Sequence, residues 1–409
     1  AIYFELSDIY RLNGTNIKIT KEWRDVDREL VSHPDFGGQM KRDNVFKSIL
    51  PAVLADAPDD LGKAKAVYRY IQRNIKWNRY LGKYSENNIK NALERRSGNI
   101  GDINLALIAG LRAAGLDAEA VILSTRDNGV VNDVHPVLSD FNYVVAKVNI
   151  GDSHYLLDAS DPLLPFGLLP LHCINGKARV VNLKKPSYWI EPKSSQKSST
   201  QYILTAELHP DGSLKGQLVT QRSGYTALHK RKELANYNTT EEYIEHIDEA
   251  LTSFSILQGE IRGEAEVEEP LVESYDVEVK LYEDLEAPEV FFNPFFINRV
   301  SNNPFNLDER IYPVDMGTAR EDRVSVTIKL PANYELKSKP DDYNMALENK
   351  GGRYLTKTEL SGNTFTFSQL LALNHATYAP DSYFALKEFF GRIIQQEKID
   401  VVLLKKEGK

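Results

Sequence analysis

The chain has 409 residues, with 50 Lys and Arg against 58 Asp and Glu for a formal net charge of −8. That length supplies two or three domains with full hydrophobic cores, and an acidic balance without a basic patch argues against charge-driven binding of nucleic acid or an anionic membrane. The single cysteine, Cys173, excludes an intramolecular disulfide and any multi-cysteine zinc site. No run approaches the ~18 apolar residues of a membrane-spanning helix. The opening AIYFEL is neither a Met start nor a signal peptide and already alternates like a strand, so we read the chain as trimmed from a longer one.

Residues 2–6 and 16–20 read as short strands around the turn residues Asn13 and Gly14, followed by a helical pattern at Trp23, Val26 and Leu30. Residues 59–76 place Leu61, Ala64, Tyr68, Ile71 and Ile75 at helical spacing, with Asp59 and Asp60 at the favourable N-terminal end. A second helix is expected over about 102–114, with Ile103, Leu107 and Leu111 on one face, turn and cap chemistry at Ser97, Gly98 and Asn99 before it, and Gly115 as its stop. Strand-like runs follow at 120–124, 143–148 and 155–157, giving an α+β order. Residues 191–201, rich in Ser and Lys, read as a linker. Beyond them β signals dominate: a hairpin over 202–221 turning at 210–212, and runs at 274–281, 323–330 and 364–367. Helices at 240–254 and 383–394 interrupt this β-sandwich-like region. The second carries Leu386, Phe389, Phe390, Ile393 and Ile394 on one face. Its mixed-charge polar face favours docking on the sandwich over a membrane role. The aromatic stretch 290–297 suits a sandwich core better than a sugar-stacking surface.

The segment RSGNIGDINLALIAGLRAAGLDA at 96–118 resembles the nucleophile segment of the transglutaminase-like, papain-related superfamily, in which Gly-x-Cys opens a helix that a strand follows. DFNYVVAKV at 140–148 is similar to that family's histidine strand and YLLDASDP at 155–162 to its aspartate strand. LSTRDNG at 123–129 and LLPFGLLP at 163–170 fit a bacterial subgroup whose core is flanked by β-rich domains of unknown function. The resemblance implies a papain-like core over 51–190, preceded in 1–50 by the tail of a truncated β-rich domain with a connecting helix. After the linker at 191–201, it implies a C-terminal β-rich domain over 202–409.

The chemistry of that family needs a thiolate at a helix N-terminus, a histidine to hold its proton and a carboxylate to orient the histidine. Carried across the motifs, those positions fall on Ile100, Tyr143 and Asp158. Isoleucine has no lone pair for attack, and a phenol of ordinary pKa ~10 is a poor proton acceptor. The resemblance therefore implies a degenerate triad in which only Asp158 remains, and that acid is more simply read as orienting Tyr143 or capping a turn. Trp77, Asn99 and Asp102 are the cleft candidates, Trp77 being read as a core or cleft-wall residue. Cys173 adjoins His172, but adjacent side chains diverge, and a buried structural cysteine is the simpler reading. Asp133 and His135 lack a third metal ligand. Ser97 and Ser124 lack a positioned base.

The expectation is thus a catalytically inactive α+β protein that binds peptide or glycan or scaffolds a surface assembly, with no cofactor, metal or nucleic acid. The alternative is an amide-bond hydrolase or acyltransferase using non-inherited residues. It requires a histidine and a carboxylate converging beside Ile100 and fails if Ile100 and Tyr143 fill that pocket. A third reading, a purely bridging core, predicts no open cleft. Members of the subgroup usually carry a signal sequence in Gram-negative bacteria, which implies a periplasmic setting.

Overall fold

A computed structural model describes residues 8–18, 22–209, 211–250, 254–281 and 288–406. The strand expected at 2–6, residues 19–20 of the next run and Pro210 of the hairpin turn lie outside the described residues. The chain divides into two compact units, Ala1–Ser195 and Gln196–Lys409.

The first unit opens with a hairpin, Asp8–Tyr10 against Asn16–Lys18, whose turn contains Gly14 at φ +81°. The helix Trp23–Ser32 then buries Val26 and Leu30. Asp59 caps the helix Asp60–Asn74 by accepting from the Gly62 amide at 2.7 Å, and Ala64, Val67, Tyr68 and Ile71 form its buried stripe.

The central helix runs Ile100–Ala113, two residues earlier than the apolar spacing predicts, beginning directly after its cap Asn99. Every residue from Ile100 to Leu111 is buried, so it is enclosed all round instead of presenting one face. Gly115 ends it at φ +84°; its amide donates to Arg112 O and that of Leu116 to Leu111 O, the two bonds of a Schellman stop.

This helix packs with an antiparallel five-stranded sheet in the order Ser153–Leu157, Tyr143–Ile150, Asp117–Leu123, Ala178–Val181, Tyr188–Ile190. The first three strands match the predicted runs with small shifts of boundary. The last two, of four and three residues, are too short to show a period.

The second unit is built on an eight-stranded sheet ordered Ser255–Arg262, Leu271–Lys280, Ser213–Ser223, Ser198–Leu208, Arg320–Lys329, Thr364–Leu373, Gly352–Ser361, Tyr343–Leu347. Ser198–Leu208 and Arg320–Lys329 run parallel and the other neighbours antiparallel. Residues 198–201, read from composition as linker, instead open the strand Ser198–Leu208: the Ser, Thr and Gln side chains that suggested a loop are compatible with a paired strand once neighbours supply the hydrogen bonds.

A three-stranded sheet, Glu289–Phe292, Val401–Lys405 and Tyr334–Ser338, shares a core with the large one, where Val290, Phe292, Val401 and Leu403 meet Leu204, Val326 and Phe365. Of the aromatic stretch 290–297, Phe292 and Phe295 are buried while Phe291 is exposed. The helix Tyr383–Gln396 buries Leu386, Phe389, Phe390 and Ile393 in a cluster with Tyr354 and Leu371 of the sheet, the docked arrangement expected. The helix Thr240–Ala250 covers most of the predicted one; residues 251–253 lie outside the described residues, and Phe254 is not helical. A further helix, Tyr225–Leu234, is absent from the sequence expectation.

The architecture is α+β, a helix-and-sheet core followed by a sandwich-like β-rich region.

Candidate functional site

The sequence resemblance puts the nucleophile position at the N-terminus of the central helix. Asn99 and Asp102 form a reciprocal capping box there: Asn99 Oδ1 accepts from the Asp102 amide at 2.8 Å, and Asp102 Oδ2 accepts from the Asn99 amide at 3.1 Å. Asp102 is fully buried because its other oxygen is also engaged, accepting from Ser85 Oγ and, at 3.3 Å, from the Asn87 amide.

The segment 78–88 thereby lies directly on the helix end. Asn99 Nδ2 donates to Tyr84 O at 3.0 Å, and the Ile100 amide donates to Tyr80 O at 3.3 Å. Lys83 Nζ, donating to Phe141 O at 2.8 Å, latches the segment to the residues before the strand Tyr143–Ile150. The approach requires glycine: a Cβ on Gly101 would stand 2.1 Å from Tyr84 O. Trp77, half-buried, donates its indole N–H to the same Tyr80 carbonyl at 2.9 Å.

Four residues into the helix, Asn104 points at the turn just after the strand Ser153–Leu157. Its Nδ2 donates to Val144 O at 2.9 Å and to Asp158 Oδ1 at 3.0 Å, while its Oδ1 accepts from the Ala159 amide at 3.0 Å. Asp158 Oδ1 also accepts from the Ser160 amide at 3.0 Å, and Oδ2 accepts from the Tyr143 hydroxyl at 2.7 Å. Tyr68, from the helix Asp60–Asn74, donates to Asp158 O at 3.0 Å. Asp158 therefore both orients Tyr143 and closes a turn. Sequence reasoning missed Asn104; its signal was a polar residue inside an otherwise apolar helix, where a buried amide needs partners.

Cys173 sits against this pair. Burial, then the Asp158 carboxylate, push its thiol well above the ordinary value. Burial, then Asp158 and Cys173, do the same to the Tyr143 phenol. A thiol so placed is disfavoured as thiolate, and the phenol is a donor to Asp158 rather than a base. His172 is exposed although its ring meets Tyr143 edge-on, with centroids 5.5 Å apart, while the adjacent Cys173 is buried.

Ile100, Asp158 and Cys173 are 0 % exposed and Tyr143 is 1 %, so an external substrate meets none of them in this conformation. Elsewhere, Ser97 is exposed, and Ser124 Oγ donates to Gly129 O at 2.6 Å, anchoring a loop. Asp133 pairs with Lys177 and His135 is exposed. Among the described residues no group of three or more His, Cys, Asp or Glu side chains is arranged to hold a metal ion, and no helix is long and apolar enough to cross a membrane.

Comparison with known families places residues 47–159 in the transglutaminase-like superfamily. The chain carries a transglutaminase-like core. Residues 288–403 match a domain of unknown function, DUF3858, so this core is joined to a further β-rich domain. Among solved structures, the chain is similar to a candidate protease from Parabacteroides distasonis, at 12 % identity and a TM-score of 0.51 over 93 % of this chain and 57 % of that one. That likeness is one of fold. A search of curated proteins returns no match. Within the transglutaminase-like segment, the position at the start of the central helix is isoleucine, and the only cysteine of the chain lies beyond the segment, at Cys173.

Proposed function

We propose that this chain is a catalytically silent transglutaminase-like module acting as a scaffold or as a binding partner for peptide or glycan, with Ile100, Tyr143 and Asp158 in the superfamily's catalytic positions. One observation carries the reading: the Tyr143 hydroxyl closes the Asp158 carboxylate at 2.7 Å beside a helix N-terminus occupied by buried Ile100 and covered by the 78–88 segment. The polar groups that would support acyl transfer are spent on one another, and the pocket is filled. That filling weighs against the hydrolase alternative, which needs a histidine and a carboxylate converging beside Ile100. Because the helix end is covered, the scaffold form is favoured over a ligand held in the ancestral cleft. The extracytoplasmic setting implied by the family resemblance belongs to the same proposal, and fractionation of the native host tests it.

The deciding experiment assays the full chain for hydrolysis and transamidation of peptide amides by mass spectrometry, alongside a thermal-shift screen against short peptides and oligosaccharides. No turnover above buffer is expected. Turnover that disappears in Cys173→Ser would overturn the silent reading. A ligand-dependent shift supports the binding form; an unmoved transition with every ligand supports the scaffold form.

A further inference from the structure

The second unit contains a cavity of about 440 Å³ between one face of the large sheet and the helices Tyr225–Leu234 and Thr240–Ala250, a size typical of small-ligand sites. Strand register builds its floor. Thr220 pairs with Glu273 and Leu218 with Tyr275, so alternation puts Leu218 and Arg222 on the same face as Glu273 and Tyr275. Leu218, Ile247, Phe254, Ile256 and Phe296 supply an apolar wall.

The polar floor is uneven in a telling way. Glu273, 2 % exposed, accepts from Arg222 Nε at 2.7 Å on one oxygen, and from Tyr275 and Tyr243 hydroxyls at 3.0 and 3.3 Å on the other. Tyr243 in turn accepts from Lys230 Nζ at 2.8 Å, and Lys230 also pairs with Glu233 at 2.8 Å. Burial, then the Glu273 charge, push both phenols far above their ordinary range, keeping them as donors to that carboxylate. The buried acceptor is therefore consumed. Arg222 also bonds Tyr202, which lines the same cavity; with five N–H groups on Arg222 and three on Lys230, the two cations still hold more donors than Glu273, Tyr202, Tyr243 and Glu233 take. A cavity with an apolar wall and surplus cationic donors fits a ligand with an apolar body and an anionic acceptor.

We propose that this cavity binds a monocarboxylate on an apolar body, either a free small acid or the C-terminal carboxylate of a peptide ending in a large apolar residue. The site lies wholly in the second unit and is independent of whether the transglutaminase-like core is silent.

Calorimetric titration of the full chain with 3-phenylpropionate and octanoate, and with an acetylated tetrapeptide ending in Leu, tests it, each acid being paired with its amide. Binding of the acids with at least tenfold weakening for the amides is expected. Response to the small acids alone or to the peptide alone identifies the source. Arg222→Gln strips buried Glu273 of its cation and threatens the fold, so two helix-borne variants carry the test. Lys230→Gln should weaken acid binding several-fold, and Ile247→Phe should abolish it by filling the cavity, with circular dichroism unchanged in both. Absence of binding by every acid at millimolar concentration, equal binding of acids and amides, or full binding by Ile247→Phe would overturn the proposal.

Discussion

The sharpest consequence of a closed, satisfied site is that its polar residues hold the fold together. Tyr143→Phe removes one hydroxyl and little else: the ring stays buried, but Asp158 Oδ2 loses the donor at 2.7 Å, while Oδ1 keeps Asn104 and the Ser160 amide. A hydrogen bond to a charged acceptor contributes about 1.5–3 kcal/mol, and the vacated volume is a single oxygen, so a loss of about 2 kcal/mol is expected. For a unit near 200 residues that lowers the melting temperature by about 4–8 °C. Asn104→Leu should cost more, about 3–5 kcal/mol, since it leaves Val144 O, Asp158 Oδ1 and the Ala159 amide each short of a partner. The assay is unusually clean: all three tryptophans, Trp23, Trp77 and Trp189, lie in the first unit, so urea unfolding followed by tryptophan emission reports that unit alone and avoids treating a two-unit chain as a single transition. Functional sites commonly sacrifice stability for activity. A Tyr143→Phe chain as stable as the parent, or more so, would refute the structural assignment and return the site to the enzyme reading.

Acid sensitivity should come from Glu119. This buried carboxylate accepts from Lys147 at 2.8 Å, Asn182 at 2.7 Å and the Tyr188 hydroxyl at 3.0 Å. Burial alone would raise its pKa, but the bonds from Lys147, Asn182 and Asn149 and the Lys147 charge outweigh that and leave it below the ordinary value. Its stabilisation is therefore complete above the unfolded pKa of ~4.3 and is lost as pH falls through the depressed folded value. Tryptophan-detected stability should fall across that acidic window, and Glu119→Gln should flatten the fall while lowering stability at pH 7; a parallel fall in the variant would exclude Glu119 as the source. Cys173, buried and raised in pKa, should resist a thiol-specific chromogenic reagent in the native chain and yield one equivalent only in denaturant. Rapid native labelling would mean that the pocket opens.

Much of this molecule was legible in local pattern. Helical spacing in 59–76, Gly115 as a stop, the alternation that marked the long strands, and the apolar face of Tyr383–Gln396 each depend on neighbours a few residues away, and they reappear in place. The absence of any cysteine from the transglutaminase-like segment 47–159 was likewise readable from residue types, because a nucleophile is a property of a side chain rather than of a fold. Tyr188–Ile190, at three residues, is too short to show a period, and 198–201 has the composition of a loop, so neither strand was legible.

What only tertiary structure decided is how the site is closed. Asn104 became a hub because the helix places it beside the turn that follows the strand Ser153–Leu157, more than fifty residues away, and the 78–88 segment became a cover because Gly101 lets Tyr84 approach the helix end. Likewise Arg222, Glu273 and Tyr243 converge from separate strands and a helix. Sequence specified which chemical groups this protein possesses, since those are fixed by side-chain identity. Which groups meet, and which are left to face a cavity, was set by long-range packing, where burial and competing partners determine what each group can still do.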